Sequence, residues 1–346
     1  MVFWKAKAFI PKNTKKFPIQ PFLTELNFAI VRRITLSLDM SLITELPPLR
    51  SYDHDLDSEN DKIGRLRSSA DVADDIPELR RRMEEDGYLY MKGYLDRERV
   101  LEARAAILAE LAKQDKLDPN YPIEASRCLP EATLEFIPEI AARCEAVQSL
   151  LYSGRLTDFY QGFFGEPIRH YDFTWLRAMG PGKGTNPHSD LPYMGRGTDR
   201  HLTCWLPYGD IPFQLGGLMI LEGSHKRMDL LKNYAYRDVD SYCENKPKQK
   251  ERAEEGGWTF TGTLSHNPPM VRNRFGGRWL TTEFEAGDFL TFGMFVVHAA
   301  VDNATENEFR ISSDSRYQKA SEPIDDRWIG ENPPGHSKAA KRGRVC

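Results

Sequence analysis

The chain has 346 residues and 40% hydrophobic content, enough to bury a large core. Its 51 acidic and 47 basic side chains leave a formal net charge of −4, which gives no electrostatic ground for a nucleic-acid or anionic-membrane partner. No apolar run reaches the roughly 18 residues that a membrane helix needs.

Residues 1–39 carry seven Lys or Arg against two acids, Glu25 and Asp39. That bias suits a transit peptide, but an extended start is favoured because Met40 opens a segment of ordinary composition; organellar import is the alternative. Residues 50–75 are polar and read as a surface linker, so 1–75 is expected to be an extension and linker, partly mobile. Helices are predicted over Ile76–Asp86, stopped by Gly87, and over Arg97–Lys116, capped by Asp96. Shorter ones are predicted near Ile137–Leu151 and Arg155–Phe164. After Pro167 the pattern changes to short β-branched and aromatic runs between turn residues: His170–Met179, His201–Leu206, Leu218–Leu221, Arg278–Phe284, Phe289–Val297 and Arg310–Tyr317. The expected fold is mainly β with a helical N-terminal part, in a domain spanning 76–325, with a polar C-terminal tail over 326–346. The stretch Pro333–Cys346 is read as mobile. Five scattered cysteines without a CxxC pair (Cys128, Cys144, Cys204, Cys243, Cys346) argue against a disulfide framework or structural zinc. They favour a reducing, cytoplasmic setting.

His188 and Asp190 stand two residues apart in Asn186-Pro-His-Ser-Asp-Leu. On an extended strand such residues share a face, so an imidazole and a carboxylate converge on one ion. His298 ends the apolar run Phe289–His298 and offers the third ligand. Two histidines and one carboxylate on one face of an octahedron leave three positions open, the facial triad of iron(II) oxygenases. An HxD pair alone is a weak signal; the joint order of the pieces carries the reading. Twelve residues past His298, Arg310 and Ser312 alternate on one strand face, a guanidinium fork beside a hydroxyl. That pair suits the far carboxylate of a small dicarboxylic acid. Arg316 competes for the same role.

These residues look like the phytanoyl-CoA dioxygenase superfamily. Four blocks carry the resemblance: Glu84-Glu-Asp-Gly-Tyr-Leu-Tyr-Met-Lys-Gly-Tyr-Leu, His188-Ser-Asp-Leu, Gly216 to Lys226 with Gly223-Ser-His, and Ala286-Gly-Asp-Phe-Leu-Thr-Phe through His298, Asn303, Arg310 and Tyr317. The resemblance implies a double-stranded β-helix (jelly roll, cupin-like) core, with iron(II), 2-oxoglutarate and dioxygen as cofactor and co-substrates. It implies that His188, Asp190 and His298 are the catalytic metal ligands, that Arg310 and Ser312 bind 2-oxoglutarate, and that Trp205 lines the co-substrate pocket. His225 is expected to be structural. One departure is spacing: the Arg often stands eleven residues after the distal His in this family, and here it stands twelve. Halogenating relatives replace the carboxylate of the HxD pair, so Asp190 points to oxygen insertion or a related oxidation.

The expected activity is oxidation of an unactivated C–H bond in a small organic molecule, a lipophilic or secondary metabolite, with release of succinate and carbon dioxide. No run of Lys and Arg forms a clear coenzyme A cradle, although Arg272, Arg274 and Arg278 are candidates, and an acyl-CoA hydroxylase is the nearest alternative. Other classes are a non-catalytic metal-binding jelly roll and a zinc hydrolase on the same residues. The polar insert Asp229–Pro269, with Tyr234, Tyr236, Trp258, Phe260 and His266, is either a lid over the barrel mouth or a solvated excursion.

Overall fold

A computed structural model describes residues 46–346. The questions raised by residues 1–39 and Met40 lie outside the described residues. A short hairpin, β1 (Arg50–Ser51) and β2 (His54–Asp55), precedes β3 (Ile63–Arg65), helix α1 (Ile76–Asp86), β4 (Tyr88–Met91) and helix α2 (Arg97–Lys113). Strand β5 (Leu134–Phe136) leads into helices α3 (Pro138–Arg143), α4 (Glu145–Tyr152) and α5 (Arg155–Phe164). Then come β6 (Ile168–His170), β7 (Trp175–Met179), the one-turn helix α6 (Leu191–Met194), β8 (Leu202–Pro207) and β9 (Leu218–Leu221). The insert holds β10 (Ser241–Cys243) and helices α7 (Pro247–Glu254) and α8 (Pro268–Phe275). The barrel closes with β11 (Trp279–Thr281), β12 (Phe289–Gly293), β13 (His298–Ala300) and β14 (Arg310–Lys319), followed by β15 (Arg342–Arg344).

Two sheets make the jelly roll. The seven-stranded one runs β4-β12-β8-β14-β7-β5, with β6 added beside β14; the four-stranded one runs β13-β9-β11-β3. Strand β14 explains the layering. Ile311 and Tyr317 point into the cluster that α1, α2, α4 and α5 supply with Leu79, Val100, Leu151 and Phe159. Arg310, Ser312, Asp314 and Arg316 face the opposite way, into the barrel. Tyr317 stacks on Tyr160 with ring centroids 4.0 Å apart and donates to the Leu151 carbonyl at 2.6 Å, which fixes that strand to the helical layer.

The helix ends follow their sequence signals. Asp75 caps α1 and Gly87 stops it at φ 81°; Asp96 caps α2. The segment expected as one helix near 137–151 is broken, because Cys144 is extended (φ −82°, ψ 106°) between α3 and α4.

Three expectations are corrected. Residues 50–75 do not form a solvated linker: Leu56, Ile63 and Leu66 are buried, and β3 pairs in parallel with β11. The apolar residues are spaced too widely there to mark a strand. The stretch 333–346 is docked rather than loose, since β15 pairs with β10 and Cys346 is disulfide-bonded to Cys243. Those cysteines stand 103 residues apart, a pairing that spacing alone does not announce, and the bond removes the ground for expecting a reducing compartment. No helix among the described residues is long and apolar enough to cross a membrane.

Candidate metal centre

His188 and His298 face each other across a two-residue bridge in which each backbone N–H donates to the other's carbonyl, at 3.0 and 2.9 Å. Asp190 does not share a strand with His188, as the i, i+2 argument supposed. It sits in helical geometry (φ −77°, ψ −26°) at the start of α6, so a turn, not a pleat, brings its carboxylate back to the imidazoles. The ligand atoms of the three residues all lie within 4.8 Å of one another.

Hydrogen bonds fix which atoms face the shared centre. His188 Nδ1 donates to the Asn186 carbonyl at 2.8 Å, and His298 Nδ1 to the Val296 carbonyl at 3.2 Å. Both Nε2 lone pairs are thereby left toward Asp190 Oδ1, at 3.9 and 3.7 Å. The other carboxylate oxygen, Oδ2, accepts from Thr203 Oγ1 at 2.5 Å and from Arg316 Nη2 at 2.9 Å. One oxygen is held by the protein and one is free, which is the donor set a facial iron(II) site requires. Burial, then the neighbouring His298, pushes His188 down to about 4, so its Nε2 carries a free lone pair at neutral pH, as a metal ligand requires. Burial alone would raise Asp190, yet Arg316 and both imidazoles hold it well below the usual carboxylate range.

Arg310, Ser312 and Trp205 line the same cavity as the three ligands. Arg310 is buried, its Nη1 donates to the Gly216 carbonyl at 2.5 Å, and its Nε has no partner. Gly216 stands at φ 78°, where a Cβ would come within 2.4 Å of the Val301 carbonyl, so glycine is required to aim its own carbonyl at the guanidinium. Burial, then Arg177, pushes Arg310 down to about 10: it is a cation short of an anionic partner. Arg316 is engaged differently: its Nη2 donates to Asp190 and its guanidinium lies over the Trp175 ring at 4.2 Å, while its Nε and Nη1 have no partner.

Sequence reasoning missed Thr203, Arg316 as a brace, and the Arg177–Asp314 ion pair inside the cavity. Extending the Arg310/Ser312 alternation to Asp314 and Arg316 would have placed the last two. His225 sits against Gly87 and donates from Nε2 to the Glu84 carbonyl at 3.2 Å, while Ser224 Oγ accepts from Val297 N at 2.9 Å. That loop therefore pins the strand entering His298. The insert packs on the ligand segment: Leu264 N donates to the Pro187 carbonyl at 2.9 Å, and Tyr234 Oη accepts from Ser189 N at 3.0 Å. It buttresses the site.

A sequence model of the phytanoyl-CoA dioxygenase (PhyH) family matches residues 83–312. The 1-deoxypentalenic acid 11-beta-hydroxylase of Streptomyces exfoliatus is 26% identical over 260 residues, covering 72% of this chain and 83% of that protein. The Streptomyces arenae protein of the same name is 26% identical over 262 residues, with the same coverage. Among solved structures, the non-heme alpha ketoglutarate dependent carbocyclase SnoK from nogalamycin biosynthesis aligns with a TM-score of 0.52 at 17% identity, over 73% of this chain and 88% of that one. The apoform of EctD from S. alaskensis aligns with a TM-score of 0.50 at 17% identity, over 86% and 98%. Both share the fold.

Proposed function

From the premise that the chain belongs to the phytanoyl-CoA dioxygenase family of iron(II)- and 2-oxoglutarate-dependent oxygenases, we propose that His188, Asp190 and His298 hold the iron, that Arg310 and Ser312 hold 2-oxoglutarate, and that the substrate is a free small molecule. The single observation that carries the site assignment is the convergence of both Nε2 atoms and one free Asp190 oxygen, each oriented by a hydrogen bond on its far side. When bound, iron and 2-oxoglutarate together supply an oxidant strong enough for an unactivated C–H bond.

The protein's own residues do the rest. Asn186 and Val296 carbonyls keep each Nδ1 protonated, so neither ring turns its N–H toward the metal. Arg316 and Thr203 keep Asp190 ionised and offer only its other oxygen. Arg310 supplies a desolvated cation for the far carboxylate, where a charge-assisted pair is strongest. Arg177 neutralises Asp314, which would otherwise repel that carboxylate inside the cavity.

A free substrate is favoured over an acyl-CoA because two of the three cradle candidates are committed elsewhere. Arg272 is buried against Asp57, and Arg278 pairs with Glu222 at 2.7 and 2.9 Å. The two Streptomyces relatives described above are named as hydroxylases of 1-deoxypentalenic acid. The test is a panel of free acids, polycyclic metabolites and CoA esters, read by substrate-dependent oxygen uptake and succinate release. Turnover of a free compound with inert CoA esters is expected; turnover restricted to CoA esters overturns the substrate assignment.

A further inference from the structure

The residues lining the metal cavity differ in one respect: Arg177, Thr185 and His188 reach solvent, and the others are buried. A molecule approaching the iron position from outside therefore passes Arg177, whose side chain is 29% exposed. Its Nη1 donates to the Asp314 carboxylate and, at 3.4 Å, to the Trp175 carbonyl. Among the described residues no acceptor meets its Nε or Nη2. Those two N–H groups form the edge of a guanidinium that takes a carboxylate in two parallel hydrogen bonds. Asp314 thus anchors the arginine by one nitrogen and leaves its fork open.

Charge selects what the fork takes. Three arginines, Arg177, Arg310 and Arg316, line the cavity with two aspartates, Asp190 and Asp314. A doubly charged iron and a doubly charged 2-oxoglutarate cancel, so the filled cavity keeps one surplus positive charge, which a monoanion completes. The surroundings of Arg177 are apolar. Strand β5 is the edge of the large sheet, and its Leu134 and Phe136 stand directly opposite Met179 and Arg177 on β7. Opposed residues of an antiparallel pair share a face, so both side chains extend the cavity side of the sheet. They stay 47% and 46% exposed. The guanidinium lies 5.7 Å from the Phe136 ring, and the Phe136 and Phe173 centroids are 6.2 Å apart. An apolar lip beside one fixed cation suits a molecule whose carboxylate is joined to an apolar body.

We infer that Arg177 is a specificity-determining residue at the cavity mouth: its Nε–Nη2 edge binds the carboxylate of an apolar monocarboxylic acid, and Phe136 and Leu134 cover the carbon atoms beside it. The inference rests on the oxygenase reading above and narrows its free small molecule to one class. Both carboxylates of 2-oxoglutarate are assigned elsewhere, one to the iron and one to Arg310, so the co-substrate does not need this fork.

The experiment compares 1-adamantanecarboxylate with 1-adamantanecarboxamide, alike in shape and different in charge. Binding is measured by equilibrium dialysis against protein loaded with iron(II) and 2-oxoglutarate without oxygen. The wild type is expected to bind the acid about 10- to 100-fold more tightly, the worth of a charged hydrogen bond. Arg177→Met alone would strand Asp314, so it is combined with Asp314→Asn. That double variant is expected to bind acid and amide equally, while Asp314→Asn alone keeps the preference. Arg177→Lys, a charge without a fork, is expected to keep part of it. Equal binding by the wild type, no binding of either probe, or a preference that survives in the double variant overturns the proposal. So does a double variant that loses 2-oxoglutarate affinity in the same proportion, because the fork would then serve the co-substrate. The visible charge-transfer band of the iron–2-oxoglutarate chelate is recorded on every sample. Its absence from every protein would defeat the oxygenase reading instead, and its presence with an acid preference indifferent to Arg177 would defeat only this inference.

Discussion

The barrel interior and the insert-plus-C-terminal cap both bury ions, but they use them differently. Inside the barrel Asp190 meets Arg316 while Arg316 Nε and Nη1, and Arg310 Nε, stay without partners. In the cap, Asp240 takes three donors from residues 87 to 101 positions away, tying two remote segments together. An ion pair that leaves donors idle beside a cavity marks a place prepared for a ligand, whereas a saturated one marks a fastening. Burying either is costly unless the geometry is good, so the two kinds fail in different ways when a partner is removed.

The sharpest break comes from the ligands. His188→Ala should abolish substrate-dependent succinate formation, with the fold intact by circular dichroism; full activity would remove His188 from the ligand set. Next, Arg310→Ala should raise the KM for 2-oxoglutarate about 10- to 100-fold, the worth of a charged hydrogen bond, while iron affinity stays put. A change confined to iron affinity would transfer the co-substrate role elsewhere. Arg316→Met should do the reverse, weakening iron binding about 10- to 100-fold as the brace on a ligand is lost. Iron titration of both variants separates the two arginines.

The last prediction is a pH dependence of stability. Burial pushes His201 down to about 4 from 6.5, and its Nε2 has no partner. Between those values the unfolded chain binds the proton and the folded one does not, so stability is whole above pH 6.5 and falls as pH drops toward 4. The loss is about 3 kcal/mol for this group. Thermal melts of metal-free protein should show that slope, and His201→Asn, which keeps a donor for the Thr198 carbonyl, should flatten it. An unchanged slope would assign the acid lability to the carboxylates.

The barrel was largely legible in the sequence because its logic is local. Alternation placed Arg310 and Ser312 on one face of β14, Gly87 and Asp96 marked helix ends, and the ligands stood on recognisable runs. The turn at Asp190 was misread as a strand because an HxD pair is compatible with both, and only the partner His298 decides between them. The cap was opaque for the opposite reason. Asp240, Arg327, His336 and Lys341 each look like ordinary surface charges, and no local pattern around any of them signals that they meet. Cys243 and Cys346 were unreadable as a pair on the same ground.

Shortening the protein at residue 325 would look harmless, since the piece removed is polar and short. All three side chains that donate to Asp240 lie beyond that point. The trimmed chain would strand a solvent-free carboxylate in the insert, a defect of about 3–5 kcal/mol, and strip Trp328 from the face of Trp175. An apparently dispensable end thus acts as a counterweight: deleting it would loosen the segment that steadies the iron ligands from outside.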